Sequence, residues 1–489
     1  MSDETEQKTA EKPAQTPPVE VAAEPVVRQH SISVNGSELA YTTTTGLMPI
    51  SNDKGEIKAN LFYVAYTKDG VEDIGNRPLT VVFNGGPGSS TVWLHMGGVA
   101  PKRVEMLPDG GMPKPPFKLV DNEYTWLTET DLVFVDPVDT GFSRAASDEA
   151  AKEAKGVEGD IATVGEFIRM YLVRNARWSS PLFLAGESYG TFRSAGLAGH
   201  LIDRGMAFSG IILISSILNM QTARFTLGND LPYQLFLPTY AATAWYHDMV
   251  DKNLKKKSIR VFLDEVEAWV EGEYVQALSL GDRISEKHAA AIAEALVKYT
   301  GLPLEYVQAS NLRINIHQFC KALKRSERKH VGRLDSRFIS WDKDVVEDVP
   351  EFDPSMNGII PPFTSVLNPY FRQDLGYESD VEYHIIRGLG QEWDWGNSAK
   401  GYSDTSDALR SAMAKNPYMK VFVASGYYDL ATPYYATEYT LSHMNLDSSV
   451  RRNIRVEEYP TGHMVYIDFE QLVALNEHCR EFIRDAVAP

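Results

Sequence analysis

The sequence predicts an α/β protein with a mostly parallel central sheet flanked by helices and a helical insertion. Three observations carry this. Residues 79–84 (LTVVFN), 131–136 (DLVFVD), 181–185 (PLFLA) and 211–214 are apolar nearly throughout, as strands buried on both sheet faces must be. They alternate with segments of helical spacing, the pattern of a parallel sheet covered on both sides. The alternation stops after Leu218 and returns near residue 400.

The elements follow in order. Residues 1–28 are rich in Glu, Ala, Pro, Thr and Lys without an apolar period and read as a disordered tail. Residues 30–44 and 56–67 are β-rich, with Asn35-Gly36 as a turn. In residues 160–175, Ile161, Val164, Phe167, Ile168 and Leu172 share one helix face. A second helix covers 191–204, after the strand at 181–185. These elements form the first part of the core, 29–218. Residues 219–400 read as a mainly helical cap insertion, with amphipathic runs at 259–278 and 289–299. The second part, 401–489, holds strands at 420–424 (KVFVA) and 454–459 and helices at 434–443 and 469–483.

Composition excludes several classes. Of 489 residues, 43% are hydrophobic and 23% charged, which is neither disordered nor fibrous. The formal charge is −18, from 48 basic and 66 acidic residues, so the surface repels nucleic acid. The longest strongly apolar stretch, residues 210–218, is short of the roughly 18–20 residues of a transmembrane segment. The cysteines Cys320 and Cys479 allow at most one disulfide and no four-cysteine zinc site. No zinc-protease or EF-hand motif is present, so neither metal nor cofactor is expected. The first residues have no basic start or apolar core, which points to a cytoplasmic protein, with a periplasmic or secreted one as the alternative.

The chemistry concentrates in few places. Gly186-Glu187-Ser188-Tyr189-Gly190 fits G-x-S-x-G between a buried strand and a helix. Glycines at both ends permit the sharp turn that lifts a nucleophilic hydroxyl above the sheet. A serine needs a base, and the base an orienting carboxylate. Asp429 after the strand KVFVASG, and His463 after the next strand, supply them in the chain order Ser, acid, His. Asp404, Asp407 and Asp468 flank helices and are weaker candidates. His200, His443 and His478 lie in or near helices. An oxyanion needs two donors. One is the backbone N–H of Tyr189, and the other comes from the glycine-rich loop at 84–88 (NGGPG), which lacks the pattern of a phosphate-binding loop.

These segments together resemble the serine carboxypeptidases. The resemblance rests on residues 84–90 (NGGPGSS), 136–143 (DPVDTGFS), 186–190 (GESYG) and 462–465 (GHMV), with Asp429 in an S-G-x-x-D setting. It implies an α/β-hydrolase fold and hydrolysis of the C-terminal peptide bond, the substrate being a peptide with a free C-terminal carboxylate. It implies Ser188 as nucleophile, His463 as general base and acid, Asp429 as the orienting acid, and Gly86 and Tyr189 as oxyanion donors. It places Asn84, Glu187 and Met464 at the substrate, Asn84 and Glu187 on the terminal carboxylate. A glutamate can donate to a carboxylate only when protonated, and burial favours that form.

The sequence departs from the family pattern at Val82, where tryptophan is usual, and at Ser89, where cysteine is. Gly98 replaces a second glutamate that shares a proton with the first, and Tyr466 replaces a proline. Without its partner, Glu187 is expected to be harder to protonate, moving the optimum toward neutral pH. A strongly acidic optimum would point to another acid, such as Glu105. The same triad also suits an esterase, acyltransferase or aminopeptidase-like hydrolase. A binding protein that needs all three residues intact is harder to explain. The basic runs at 252–257 and 321–333 read as solvated faces, and Trp393, Trp395 and Tyr402 as aromatic packing.

Overall fold

A strand apolar at every position needs a partner layer on each face, and the chain supplies both. The computed structural model describes residues 24–396 and 401–488. Its strands are β1 (Val26–Val34), β2 (Ser37–Ser51), β3 (Ile57–Lys68), β4 (Leu79–Phe83), β5 (Asp131–Val135), β6 (Leu182–Ser188), β7 (Gly210–Ser216), β8 (Lys420–Gly426) and β9 (Ile454–Tyr459). With the short strand Arg144–Ala145 on β3 they form one 10-stranded sheet in the order β1-β2-β3-β5-β4-β6-β7-β8-β9. From β5 to β9 all pairings are parallel. The first three strands are antiparallel, β1 and β2 turning at Asn35-Gly36, where both residues have positive φ.

Side chains alternate between two cores. Val81, Leu184, Ile211, Leu213, Val421 and Val423 face one side. There they meet helices α1 (Val157–Arg174), α2 (Tyr189–Ile202) and α3 (Ser406–Lys415), which contribute Phe167, Leu197 and Leu409. Val82, Ala185, Ile212, Ile214, Phe422 and Ala424 face the other side, where α5 (Phe469–Val487) contributes Leu472 and Phe482. Helix α4 (Tyr434–Ser442) follows β8.

The strand order decides where the site forms. From β4 the chain moves to β5 on one side, then crosses to β6 on the other. Loops leaving the carboxyl ends of diverging strands open a crevice there. Asn84 follows β4, Asp136 follows β5 and Ser188 ends β6, so the three motif segments converge by topology.

Between β7 and β8, helices Leu231–Tyr246, Ile259–Trp269 and Glu286–Thr300 build a separate core around Phe236, Phe262 and Leu296, closed by Tyr427, Tyr428 and Tyr434 of the sheet domain. Later segments of the insertion bind the loops that follow β4 and β5. Ser89 bridges Ile386, and Gly141 bridges His384.

Several expectations change. Strand β1 starts at Val26, inside the segment read as a tail, while residues 1–23 lie outside the described residues. The run at 259–278 is a helix to Trp269, a π-helical turn Val270–Tyr274 and a further helix Val275–Leu280. The insertion also carries a hairpin, Lys329–Val331 with Ile339–Trp341. Lys321 is not on a solvated face: it is 1% exposed and paired with the buried Asp342 at 2.5 Å. Burial of a charge is tolerated there because an opposite charge is buried with it. Cys320 and Cys479 are both buried and free.

Candidate active site

The elbow at Ser188 joins β6 directly to α2, and its backbone has φ 59° and ψ −129°. A side-chain-bearing residue at such a φ is strained by about 1–3 kcal/mol and persists only where its surroundings hold it. They do. Thr191 Oγ1 donates to the Ser188 carbonyl at 2.6 Å and accepts from Ile217 N–H at 2.9 Å. A Cβ on Gly186 would lie 2.2 Å from the Gly190 carbonyl oxygen, and one on Gly190 would lie 2.8 Å from that of Phe83. Both glycines are therefore required by contact. Ser188 remains half-buried, whereas Glu187 beside it is 2% exposed.

Asp429 and His463 meet as the sequence suggests. His463 Nδ1 lies 2.7 Å from Asp429 Oδ2, both residues being buried. The carboxylate also accepts from the backbone N–H of Ala431 and Thr432 and from the Thr432 hydroxyl. Burial opposes a charge on His463, but the Asp429 carboxylate outweighs it and holds the imidazole pKa above its ordinary value. An Nδ1–H held by the carboxylate leaves Nε2 to accept a proton.

What holds the His463 backbone is not legible in the sequence. His463 N–H donates to Leu334 O of the insertion at 2.7 Å, and Ser215 Oγ donates to His463 O at 2.5 Å. Ser215 precedes Ser216, which pairs with Ser188 across β6 and β7. Adjacent strands lie about 4.8 Å apart, so nucleophile and base are tied to one another through a single strand spacing. Arg337 of the insertion binds Asp335, Asp468 and Thr461, bracing the loop before His463. Asp468 is thus committed to Arg337 and to the cap of α5.

The glycine-rich loop lies directly on the elbow. A Cβ on Gly85 would sit 2.3 Å from Tyr189 N and 2.7 Å from Gly190 N. Gly86 and Gly88 have φ of 106° and 100°, which other residues rarely adopt. Gly86 therefore stands one residue from the elbow's N–H groups, as an oxyanion loop requires. The Tyr189 side chain turns away and packs edge-on against Trp393 and Trp395. Those tryptophans support the elbow from below. Met464 is buried in the sheet core.

Beside the triad, Asn84, Glu187 and Tyr466 are clustered and almost wholly buried. Asn84 Oδ1 accepts from Leu94 N–H at 3.0 Å. Its amide nitrogen is the polar neighbour of both Glu187 and Tyr466 but makes no hydrogen bond of good geometry. Tyr466 Oη donates to Glu187 Oε2 at 2.5 Å. Burial pushes the Glu187 carboxyl up to about 7, and Asp429 adds to this. His463, Tyr466 and Asn84 pull the other way. Burial thus favours the protonated form of Glu187 even though Gly98 supplies no second carboxyl. Glu105 lies at the surface beside Lys118, at 3.5 Å, and takes no part.

The comparisons agree with this geometry. A family model for serine carboxypeptidase matches residues 35–467. Among curated relatives, serine carboxypeptidase-like 37 of Arabidopsis thaliana is 26% identical over 242 residues, 47% of this chain and 47% of that protein. The pheromone-processing carboxypeptidase KEX1 of Coprinopsis cinerea is 33% identical over 151 residues, 29% of this chain and 23% of that protein. The chain's matches thus span about half the length of these relatives or less. The crystal structure of the Saccharomyces cerevisiae prohormone-processing carboxypeptidase KEX1(delta)p covers 91% of both chains at 16% identity and a TM-score of 0.58, a likeness of fold. The family match extends from the turn after β1 through the histidine loop and takes in every motif segment described above, so the chain belongs to the serine carboxypeptidase family.

Proposed function

We propose that this protein is a serine-type carboxypeptidase that removes single residues from peptide C-termini. Ser188 Oγ attacks the carbonyl carbon of the last peptide bond as His463 Nε2 takes its proton. The oxyanion is held by the backbone N–H groups of Gly86 and Tyr189. The bond to the last residue's nitrogen then breaks, and His463 returns the proton to that nitrogen, releasing a free amino acid. Water, deprotonated by His463, attacks the acyl-enzyme and regenerates Ser188. Asp429 orients the imidazole and stabilises its charged form.

One observation carries the choice of carboxypeptidase over other serine hydrolases. A carboxyl that burial pushes up to about 7 and a buried amide nitrogen with no hydrogen bond of good geometry stand together beside the nucleophile. Protonated Glu187 and Asn84 can both donate to a carboxylate. An esterase site needs neither. Above about pH 7 Glu187 ionises and repels the substrate's terminus.

The test uses a blocked dipeptide with a free C-terminus, beside its amide and methyl ester, on wild type and Ser188→Ala. Preference for the free acid over the amide, lost in Ser188→Ala, supports the reading. Cleavage of the ester alone, still dependent on Ser188, would leave a serine hydrolase without a carboxylate site and overturn it.

A further inference from the structure

Two departures from the family pattern lie far apart in sequence and meet in space. Gly98 stands where a second glutamate is usual, and Tyr466 where proline is. A Cβ on Gly97 would lie 2.4 and 2.5 Å from two carbons of the Tyr466 ring. A Cβ on Gly98 would lie 2.4 Å from Leu472 Cδ1 and 3.1 Å from Tyr466 Cβ. Gly97 thus makes the room that the tyrosine ring fills, and Gly98 the room for Leu472 and the base of that side chain. The ring ends in the hydroxyl that donates to Glu187 Oε2 at 2.5 Å, with the Asn84 side chain as its other polar neighbour.

We propose that Tyr466 is a positioning residue that fixes the Glu187 carboxyl for recognition of a substrate's terminal carboxylate. The inference rests on the carboxypeptidase reading above. Its physical content is a change of partner chemistry. A second carboxyl would share a proton with Glu187 and titrate with it. A phenol donates a hydrogen bond and, buried, stays protonated, since burial and Glu187 push its pKa well above the ordinary value. Glu187 Oε2 is then occupied at every working pH. Its Oε1 is left to carry the proton donated to the substrate. The titratable groups facing Glu187 are His463, Asp429 and Tyr466, with the Asn84 amide beside them. Tyr466 donates to Glu187 Oε2 at 2.5 Å and stays protonated.

Tyr466→Phe removes the hydroxyl and keeps the ring. The assay compares kcat/KM for a blocked dipeptide acid and its methyl ester from pH 5 to 9. At pH 6, loss of one hydrogen bond to the recognising group should lower free-acid kcat/KM about tenfold through KM, leaving the ester within about twofold. The bond from Tyr466 favours ionised Glu187, so its loss should also move the alkaline limb of the free-acid profile to higher pH. Gly97→Ala, which displaces the ring but keeps the phenol, should reproduce the selective loss. An unchanged acid-to-ester ratio and limb in Tyr466→Phe would overturn the proposal, as would equal loss on both substrates, the mark of a merely structural residue. Wild type showing no preference for the free acid would instead overturn the underlying carboxypeptidase reading.

Discussion

The reaction centre and the carboxylate pocket share two stretches of chain but follow different rules. Ser188 and Glu187 are adjacent, and His463 and Tyr466 lie in one short loop. Ser188, Asp429 and His463 keep the pattern of the family. In the neighbouring pocket a glutamate is gone and a tyrosine has entered. Bond-making tolerates only certain atoms at certain places. Recognition of a carboxylate needs donors and a dry wall, and more than one set of side chains provides them.

The largest effect tests whether the two regions can be separated at all. Ser188→Ala should lower turnover of acid, amide and ester substrates alike by about 10⁴-fold or more. Residual ester turnover within a factor of about ten of wild type would place the nucleophile elsewhere. Gly85→Ala comes next. Its Cβ falls against the elbow's N–H groups, and loss of oxyanion stabilisation should cost about 10²-fold in kcat, again on all substrates. A loss confined to free acids would assign this loop to recognition instead.

Glu187→Gln separates the regions. Glutamine donates at any pH, so the fall in free-acid kcat/KM above neutral should disappear, with about a fivefold gain over wild type at pH 8 and no change on the ester. A retained alkaline limb would assign that limb to another group.

The smallest effect concerns a carboxyl with no substrate to bind. Glu438 on α4 is pushed up by burial and by Glu458 and Glu267, beside Arg260 of the insertion. A carboxyl raised in the folded state contributes stability that is present below its unfolded pKa and lost as the pH rises through its folded pKa. Glu438→Gln should therefore gain thermal stability over wild type by about 2–4 °C as the pH goes from 5 to 8, with kcat/KM unchanged. A constant difference in Tm across that range would exclude a raised pKa at this position.

Legibility from sequence follows the locality of the physics. The parallel strands are legible because burial on both faces leaves an unbroken apolar run, as in residues 132–135. The elbow is legible because its glycines are compelled by atoms a few residues away. Asp429 and His463 are legible because strands place them at carboxyl ends. The bond from Tyr466 to Glu187 spans 279 residues, and that from Ser215 to His463 spans 248. Such contacts leave no periodic trace. The replacements at Gly98 and Tyr466 are each visible in the sequence, but only the packing of Tyr466 against Gly97 and Gly98 shows that they belong together. Lys321 illustrates the same limit: a run of basic residues implies solvent until the chain brings Asp342 against it.

The most direct test of the account is the pH dependence of kcat/KM for one blocked dipeptide, as free acid and as methyl ester, on the wild-type enzyme. Both profiles should rise together as His463 loses its proton, and only the free-acid profile should fall again above about pH 7, as Glu187 ionises. Superimposable profiles through pH 9 would contradict it.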